Sequence, residues 1–311
     1  MEELITKENY VTINGLKHFI LEYDHHKAIT VIHIHGGPLQ SEVQLSYPLE
    51  EINDFCNLIY YDQRGTGRTL YKSETKPKDI SLDILIEDLR DLVGYVKEEY
   101  PNTKIVLLAH SYGTVIGTQF IIKYPKVVDA YVGYGQIINF LEGEAYGYKK
   151  MIELAETAQE ESVIKKLSSI GDYPYKIPEK KLLKAGTKVQ KLKRKLGFYN
   201  VKLIFTLATR SPLFKISDLT LLMKSAKYST NLVKELVSYD LSNIKSYDVP
   251  IFFIQGIADL VTPNQIVSDY YRKVLAPKKD MFIVDNAGHS PDIENSKRFM
   301  EILKEISEKI Q

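Results

Sequence analysis

Residues 104–123 read KIVLLAHSYGTVIGTQFIIK, and this stretch constrains the fold more than any other. An apolar run ends at Ala109, and an equally apolar run resumes after Gly113. The first run is unbroken, as in a strand buried on both faces of a parallel sheet. The second is long enough for a helix. A strand that turns into a helix through so few residues is half of a β-α-β unit, so the chain is expected to be α/β.

The alternation continues along most of the chain. YVTINGLKHFILEY holds two β-rich runs around Asn14-Gly15, a hairpin signal. AITVIHIHGGP and NLIYYDQRGTGRT are each a strand running into a loop. SLDILIEDLRDLVGYVKEEYP carries Leu82, Leu85, Ile86, Leu89, Val93 and Val96 at helical spacing before Pro101. VDAYVGYG is a further strand. From about Ile137 to Tyr247 the pattern changes to helix-like, charged sequence with breaks at GDYPYKIP and RSPLF and no strand pair. Alternation resumes with VPIFFIQGIAD, TPNQIVSDYYRKVLA, MFIVDNAGH and NSKRFMEILKEISEKI. The expected organisation is a doubly wound α/β core in two parts, residues 1–136 and 248–311, interrupted by a helical insertion over 137–247.

Composition limits the partners. With 311 residues and 44% hydrophobic content the chain can bury a large core. A formal charge of +1 gives no electrostatic reason to expect nucleic acid or an anionic membrane. KKLLKAGTKVQKLKRK is locally basic, but Leu182, Leu183, Val189 and Leu192 make it an amphipathic helix with a solvated basic face. Cys56 is the single cysteine, which excludes an intrachain disulfide and is compatible with a cytoplasmic setting. The acidic N-terminal stretch lacks the apolar core of a secretory signal, and no window has the roughly 18 apolar residues of a membrane span.

Ligands of open parallel sheets bind beyond the carboxyl ends of the strands. His35-Gly36-Gly37, Asp62, Ser111, Asp259 and His289 each follow an apolar run, so they should share one edge. AHSYG departs from the G-x-S-x-G strand-to-helix turn only at its first glycine. Such a turn projects the serine hydroxyl into a cleft and leaves the next N–H to hold an oxyanion. Positions two before and two after the serine must be small; Gly113 meets this fully, and Ala109 adds one methyl. The motif alone does not separate a nucleophile from a structural serine, whereas the flanking strand and helix favour Ser111 as nucleophile. That role needs an adjacent base. His289 and Asp259 follow in the order Ser, Asp, His and would supply the base and the acid that orients it. Asp259 also suits a helix cap near Thr262-Pro263, and Asp285 is a competing acid. The oxyanion donors are expected at Tyr112 and in the Gly36-Gly37 segment, at Gly37. A metal pair at His33 and His35 lacks further ligands at suitable spacing, so no metal is expected. DQRGTGRT lacks the Gly-Lys-Ser/Thr ending of a phosphate loop and reads as a structural loop, with Arg64 and Arg68 pairing with carboxylates or carbonyls.

Together these segments resemble the α/β-hydrolase superfamily and, within it, the proline iminopeptidase family. HGGP followed by DQRGTGRT is similar to that family's HGGPG and DQRGxGxS signatures, while AHSYG, GIADLVTP and AGHSP fall where it keeps nucleophile, acid and base. The resemblance spans roughly residues 9–135 and 248–311. It implies an eight-stranded, mostly parallel sheet with flanking helices, an inserted helical cap, and no metal or organic cofactor. It also implies release of an N-terminal proline or related residue from short peptides through an acyl-enzyme. On this resemblance Ser111 attacks, His289 acts as base then acid, Asp259 orients it, and Gly37 and Tyr112 form the oxyanion hole. Leu39 stands where the last glycine of HGGPG is usual, Ala109 where the first elbow glycine is, and Tyr112 where an aromatic, often Trp, is. The family's cap glutamates, which take the substrate amine, have no aligned counterparts. Gly36, Glu142, Glu144, Glu235 and Asp240 are the substrate-binding candidates, the acids by location alone.

Two other readings fit this scaffold: an esterase, lactonase or amidase acting on small acyl substrates, and a non-catalytic binding protein. A cap carboxylate facing Ser111 would mark the peptidase, and a wholly apolar cap pocket the ester or amide hydrolase. The expected partner is a small molecule or short peptide, without nucleic acid or membrane, and the oligomeric state is open.

Overall fold

Asn14 and Gly15 both adopt positive φ, 45° and 72°, the geometry of a two-residue hairpin turn. They join β1 (Ile5–Ile13) to β2 (Leu16–Asp24) in antiparallel register. The chain then forms β3 (Ile29–Ile34), β4 (Asn57–Tyr61), β5 (Lys104–His110), β6 (Ala130–Tyr134), β7 (Ile251–Gly256) and β8 (Lys279–Val284). The computed structural model describes residues 5–73, 75–76, 79–177 and 179–311. Its sheet has eight strands in the order β1-β2-β4-β3-β5-β6-β7-β8, with β2 antiparallel to β4 and every later pair parallel.

The continuous apolar runs have a simple cause: both faces of the sheet are covered. Ile32, Leu107 and Phe253 point into one core, while Val31, Leu108 and Phe252 point into the other. The first core is closed by α2 (Leu82–Glu99), α3 (Tyr112–Lys123) and α10 (Asn264–Lys273), following α1 (Gly67–Lys72) in the chain. The second is closed by α12 (Ser296–Ile310), which follows α11 (Pro291–Glu294) and contributes Phe299, Ile302, Leu303 and Ile306. Each such side chain contributes about 1.5–3 kcal/mol when fully buried. Strand faces alternate with period two, so strands covered on both sides lose the polar positions that half-buried strands show.

Between β6 and β7 lie α4 (Phe140–Thr157), α5 (Glu161–Ser168), α6 (Glu179–Lys195), α7 (Val201–Arg210), α8 (Ile216–Ser225) and α9 (Ser229–Val237). Tyr148, Met151, Val163, Leu167, Val189, Leu192 and Phe198 form an apolar cluster among them, with Leu260 and Val261 of the β7–α10 loop packed against its edge. An isolated antiparallel bridge between Asn139 and Asp240 joins the two ends of this helical segment. No helix among the described residues is long and apolar enough to cross a membrane.

Two local expectations change. The DQRGTGRT segment is only partly a loop, because α1 begins at Gly67. The buried Asp62 carboxylate accepts the Arg68 N–H at 2.6 Å and satisfies a donor of the first helical turn. Arg64 makes the carboxylate pair expected of it, two bonds of 2.8 and 2.7 Å to Asp88, and Arg68 donates to the Leu213 carbonyl at 2.5 Å. On α6 the basic face is not wholly solvated: Lys193 is fully buried.

Candidate active site

Ser111 sits between β5 and α3 with φ 50° and ψ −117°, a conformation that costs a non-glycine residue about 1–3 kcal/mol and needs its surroundings to hold it. The Ser111 N–H donates to the Tyr134 carbonyl at 3.0 Å, and the Thr114 N–H donates to the Ser111 carbonyl at 2.9 Å. Gly113 is required by proximity, since a Cβ there would lie 2.1 Å from the Ile34 carbonyl oxygen. The alanine at 109 has its own explanation. Its methyl faces α3 at Gly117, where a Cβ would come within 3.3 Å of the Ala109 Cβ. A glycine in the helix therefore makes room for a methyl in the strand.

His289 follows β8 and approaches Ser111 through its Nε2, 2.9 Å from the serine Oγ. Its Nδ1 lies 3.0 Å from Asp259 Oδ2. The two loops are held against each other at glycines: a Cβ on Gly256 would lie 2.0 Å from the Gly288 carbonyl oxygen. Asp259 Oδ1 accepts the Val261 and Thr262 N–H groups at 2.8 and 2.9 Å, and Oδ2 accepts the Thr262 hydroxyl at 2.6 Å. Burial alone would raise the Asp259 pKa, but His289 and these donors outweigh it and hold the carboxyl below its ordinary value. The helix-cap reading of Asp259 does not hold, because α10 has its N-cap at Pro263 without a side-chain bond. The carboxylate instead holds the turn before that helix while it contacts the imidazole. Asp285 is exposed, and its carbonyl accepts from Asn295 Nδ2 at 2.8 Å. A carboxylate on Nδ1 keeps that nitrogen protonated and turns the Nε2 lone pair toward the hydroxyl.

The HGGP segment passes directly beside the serine. A Cβ on Gly36 would be 3.1 Å from the Ser111 Cβ, and Gly37 has φ 125°. The Gly36 N–H donates to Glu42 Oε1 at 3.3 Å, whereas among the described residues neither the Gly37 nor the Tyr112 N–H has a protein acceptor. Leu39, where a glycine is usual, takes φ 62°; it is buried in the core and its carbonyl accepts the Thr66 hydroxyl at 3.0 Å. His33 and His35 are separately engaged, His33 Nε2 with the Tyr134 hydroxyl at 2.8 Å and His35 Nε2 with the Gln63 N–H at 3.1 Å.

The four acidic candidates of the helical segment part company. Glu142 is exposed on the first turn of α4. Asp240 is exposed and accepts the Ser242 N–H at 2.8 Å. Glu235, half-buried, accepts the Leu82 N–H at 2.7 Å and so caps α2. Glu144 is buried and held by Lys193 Nζ at 2.5 Å, the Tyr173 hydroxyl at 2.6 Å and Gln190 at 3.3 Å. Tyr199 joins this group to the histidine: its hydroxyl donates to Gln190 Oε1 at 3.0 Å and its ring meets the His289 ring edge-on at 5.7 Å.

Sequence reasoning did not single out Lys193, Tyr199, Glu42 or His110. Lys193 sits in a run of exposed lysines, and its burial has no local signature. Glu42 and His110 lie 68 residues apart and meet at 2.7 Å. The adjacency of His110 to Ser111 was the one available hint.

The alpha/beta hydrolase fold family matches residues 29–296. A probable aminopeptidase of Bacillus subtilis is 23% identical over 284 residues, 88% of this chain and 87% of that protein. A proline iminopeptidase of Saccharolobus solfataricus is 24% identical over 294 residues, 90% and 85% of the two lengths. The crystal structure of a proline iminopeptidase-related protein from Thermus thermophilus superposes with a TM-score of 0.69 at 18% identity, covering 97% of each chain. The chain therefore belongs to the α/β-hydrolase fold family and, within it, resembles the proline iminopeptidases.

Proposed function

We propose that the protein is a serine hydrolase that releases an N-terminal residue, proline or a related one, from short peptides through an acyl-enzyme. The observation that carries the chemistry is the unbroken hydrogen-bond line from Ser111 Oγ through His289 to Asp259. Ser111 attacks the acyl carbon while its proton passes to His289 Nε2, and the Asp259 carboxylate stabilises the imidazolium. The free N–H groups of Gly37 and Tyr112 receive the charge that develops on the carbonyl oxygen; each such donor typically lowers the barrier by about 2.7–4 kcal/mol. The Nε2 proton then leaves with the amine, and water repeats the sequence in reverse. The aminopeptidase reading draws on the two relatives, whose names carry that activity and which this chain matches over most of their length.

A second reading, an ester or amide hydrolase that does not recognise a free amine, is favoured by one observation. Glu144, a buried carboxylate of the helical segment, is already neutralised by Lys193. One plate separates the two: proline p-nitroanilide, other aminoacyl anilides and short-chain p-nitrophenyl esters, with wild type and Ser111→Ala. Loss of all turnover in Ser111→Ala is expected, and surviving activity would refute the serine mechanism. Ester turnover without aminoacyl-anilide turnover would replace the peptidase reading with the second.

A further inference from the structure

We infer that Glu42 and His110 form a buried ion pair that positions the nucleophile, the histidine loop and the oxyanion segment relative to one another. This role rests on the acyl-enzyme reading above. His110 ends β5, one residue before Ser111. Its Nδ1 lies 2.7 Å from Glu42 Oε1, and its Nε2 lies 3.2 Å from the backbone carbonyl oxygen of His289. A carboxylate and a carbonyl can only accept, so both ring nitrogens must carry hydrogen and the ring is an imidazolium. The same Glu42 oxygen takes the Gly36 N–H at 3.3 Å. One charge pair thus ties together three segments that the chain brings from far apart. The two side chains are 10% and 13% exposed, dry enough for the bonds to be strong and for the loss of one partner to be felt.

The surroundings suit a single cation here. The His110 ring stacks on Tyr134, centroids 4.5 Å apart and nearly parallel, and the His289 ring lies 5.4 Å away. Burial would push the His110 pKa down, but Glu42 outweighs it and holds it up at about 9, with Asp292 adding to the effect. Burial would raise Glu42, yet His110, His33 and His35 bring it down to about 2. His33, 3.5 Å from Glu42 Oε2, is kept neutral by burial, its pKa lowered to about 3, and His35 is lowered for the same reason. Asp292 is raised by burial to about 6 and accepts from the Tyr134 hydroxyl at 3.3 Å, and Tyr60 completes the group. Glu42 and His110 make no bond to Ser111 Oγ, so they are positioning residues.

The test uses Glu42→Gln, His110→Phe, which keeps a ring over Tyr134, and the double variant, with p-nitrophenyl acetate as substrate. Each single change is expected to lower kcat by about 10- to 100-fold with KM within about threefold, because a displacement near 1 Å of reacting groups has that scale. The double variant should lose no more than the worse single, the mark of one shared interaction. Wild-type kcat should fall with a midpoint near pH 9, as His110 loses the proton it gives to the His289 carbonyl, and His110→Phe should lack that limb. Unchanged kcat in both singles, additive losses, or the same alkaline limb in His110→Phe would overturn the inference. Should a variant fail to fold by thermal melting, the wild type decides alone: kcat flat from about pH 7.5 to 10 overturns it. Turnover surviving in Ser111→Ala would sink the acyl-enzyme reading. Its loss there beside wild-type behaviour in the pair variants would sink only the clamp.

Discussion

Replacing Gly113 with alanine tests whether the elbow is set by backbone contact. The added Cβ would start 2.1 Å from the Ile34 carbonyl oxygen and 2.9 Å from both the Ile34 carbonyl carbon and the His35 oxygen, all backbone atoms. Ile34 is paired with Ala109 in the β3–β5 ladder, so the strand cannot yield by turning a side chain. Reaching 3.0 Å, the closest approach that real Cβ atoms show, needs a shift of 3.0 minus 2.1, about 0.9 Å. If the elbow takes up that shift, the Ser111–His289 contact lengthens from 2.9 Å to about 3.8 Å, outside the reach of proton transfer. The expected cost is about 1–3 kcal/mol of stability and about 100-fold in kcat. Urea unfolding and p-nitrophenyl acetate kinetics measure both. The companion change, Ala109→Gly, should keep activity and lose only about 0.5–1 kcal/mol, since it removes a methyl that Gly117 already accommodates. Near wild-type kcat in Gly113→Ala would refute the argument.

Two further changes probe Asp259 and the helical segment. Thr262→Val removes the 2.6 Å hydroxyl bond to Asp259 and keeps the backbone one. The Asp259 pKa is depressed, so its contribution is present above the ordinary carboxylate range and lost as pH falls through the folded value; with a donor gone that value rises, and the acid limb of kcat/KM should move to higher pH. An unmoved limb would exclude Thr262 from holding the acid. Lys193→Met leaves Glu144 buried without its cation and should cost about 3–5 kcal/mol in urea unfolding, most of it recovered by Lys193→Met with Glu144→Gln; a loss below about 1 kcal/mol in the single variant would show that the pair does not hold the helical segment.

What could be read along the chain was what repeats or follows directly. The apolar runs located the strands because both sheet faces are covered, and the Asn14-Gly15 turn announced its hairpin through the residues able to take positive φ. AHSYG announced a strand-to-helix turn, and the polar residues after each strand were expected on one edge, where Ser111, Asp259 and His289 meet. The helix α1 escaped notice because its capping donor–acceptor pair, Asp62 and Arg68, is short-range but has no fixed spacing rule.

The sequence by itself determined the strands of the core and most of the helices between them, the small residues that a close turn demands, and the chemical identity of the groups at the strand ends. Those signals are local, set by side-chain period and backbone sterics within a few residues. Only the tertiary structure decided which distant groups share a dry environment: Glu42 with His110 across 68 residues, and Glu144 with Lys193 across 49. A buried charge is tolerable only with a partner, and finding that partner is a property of packing that no short stretch of sequence carries.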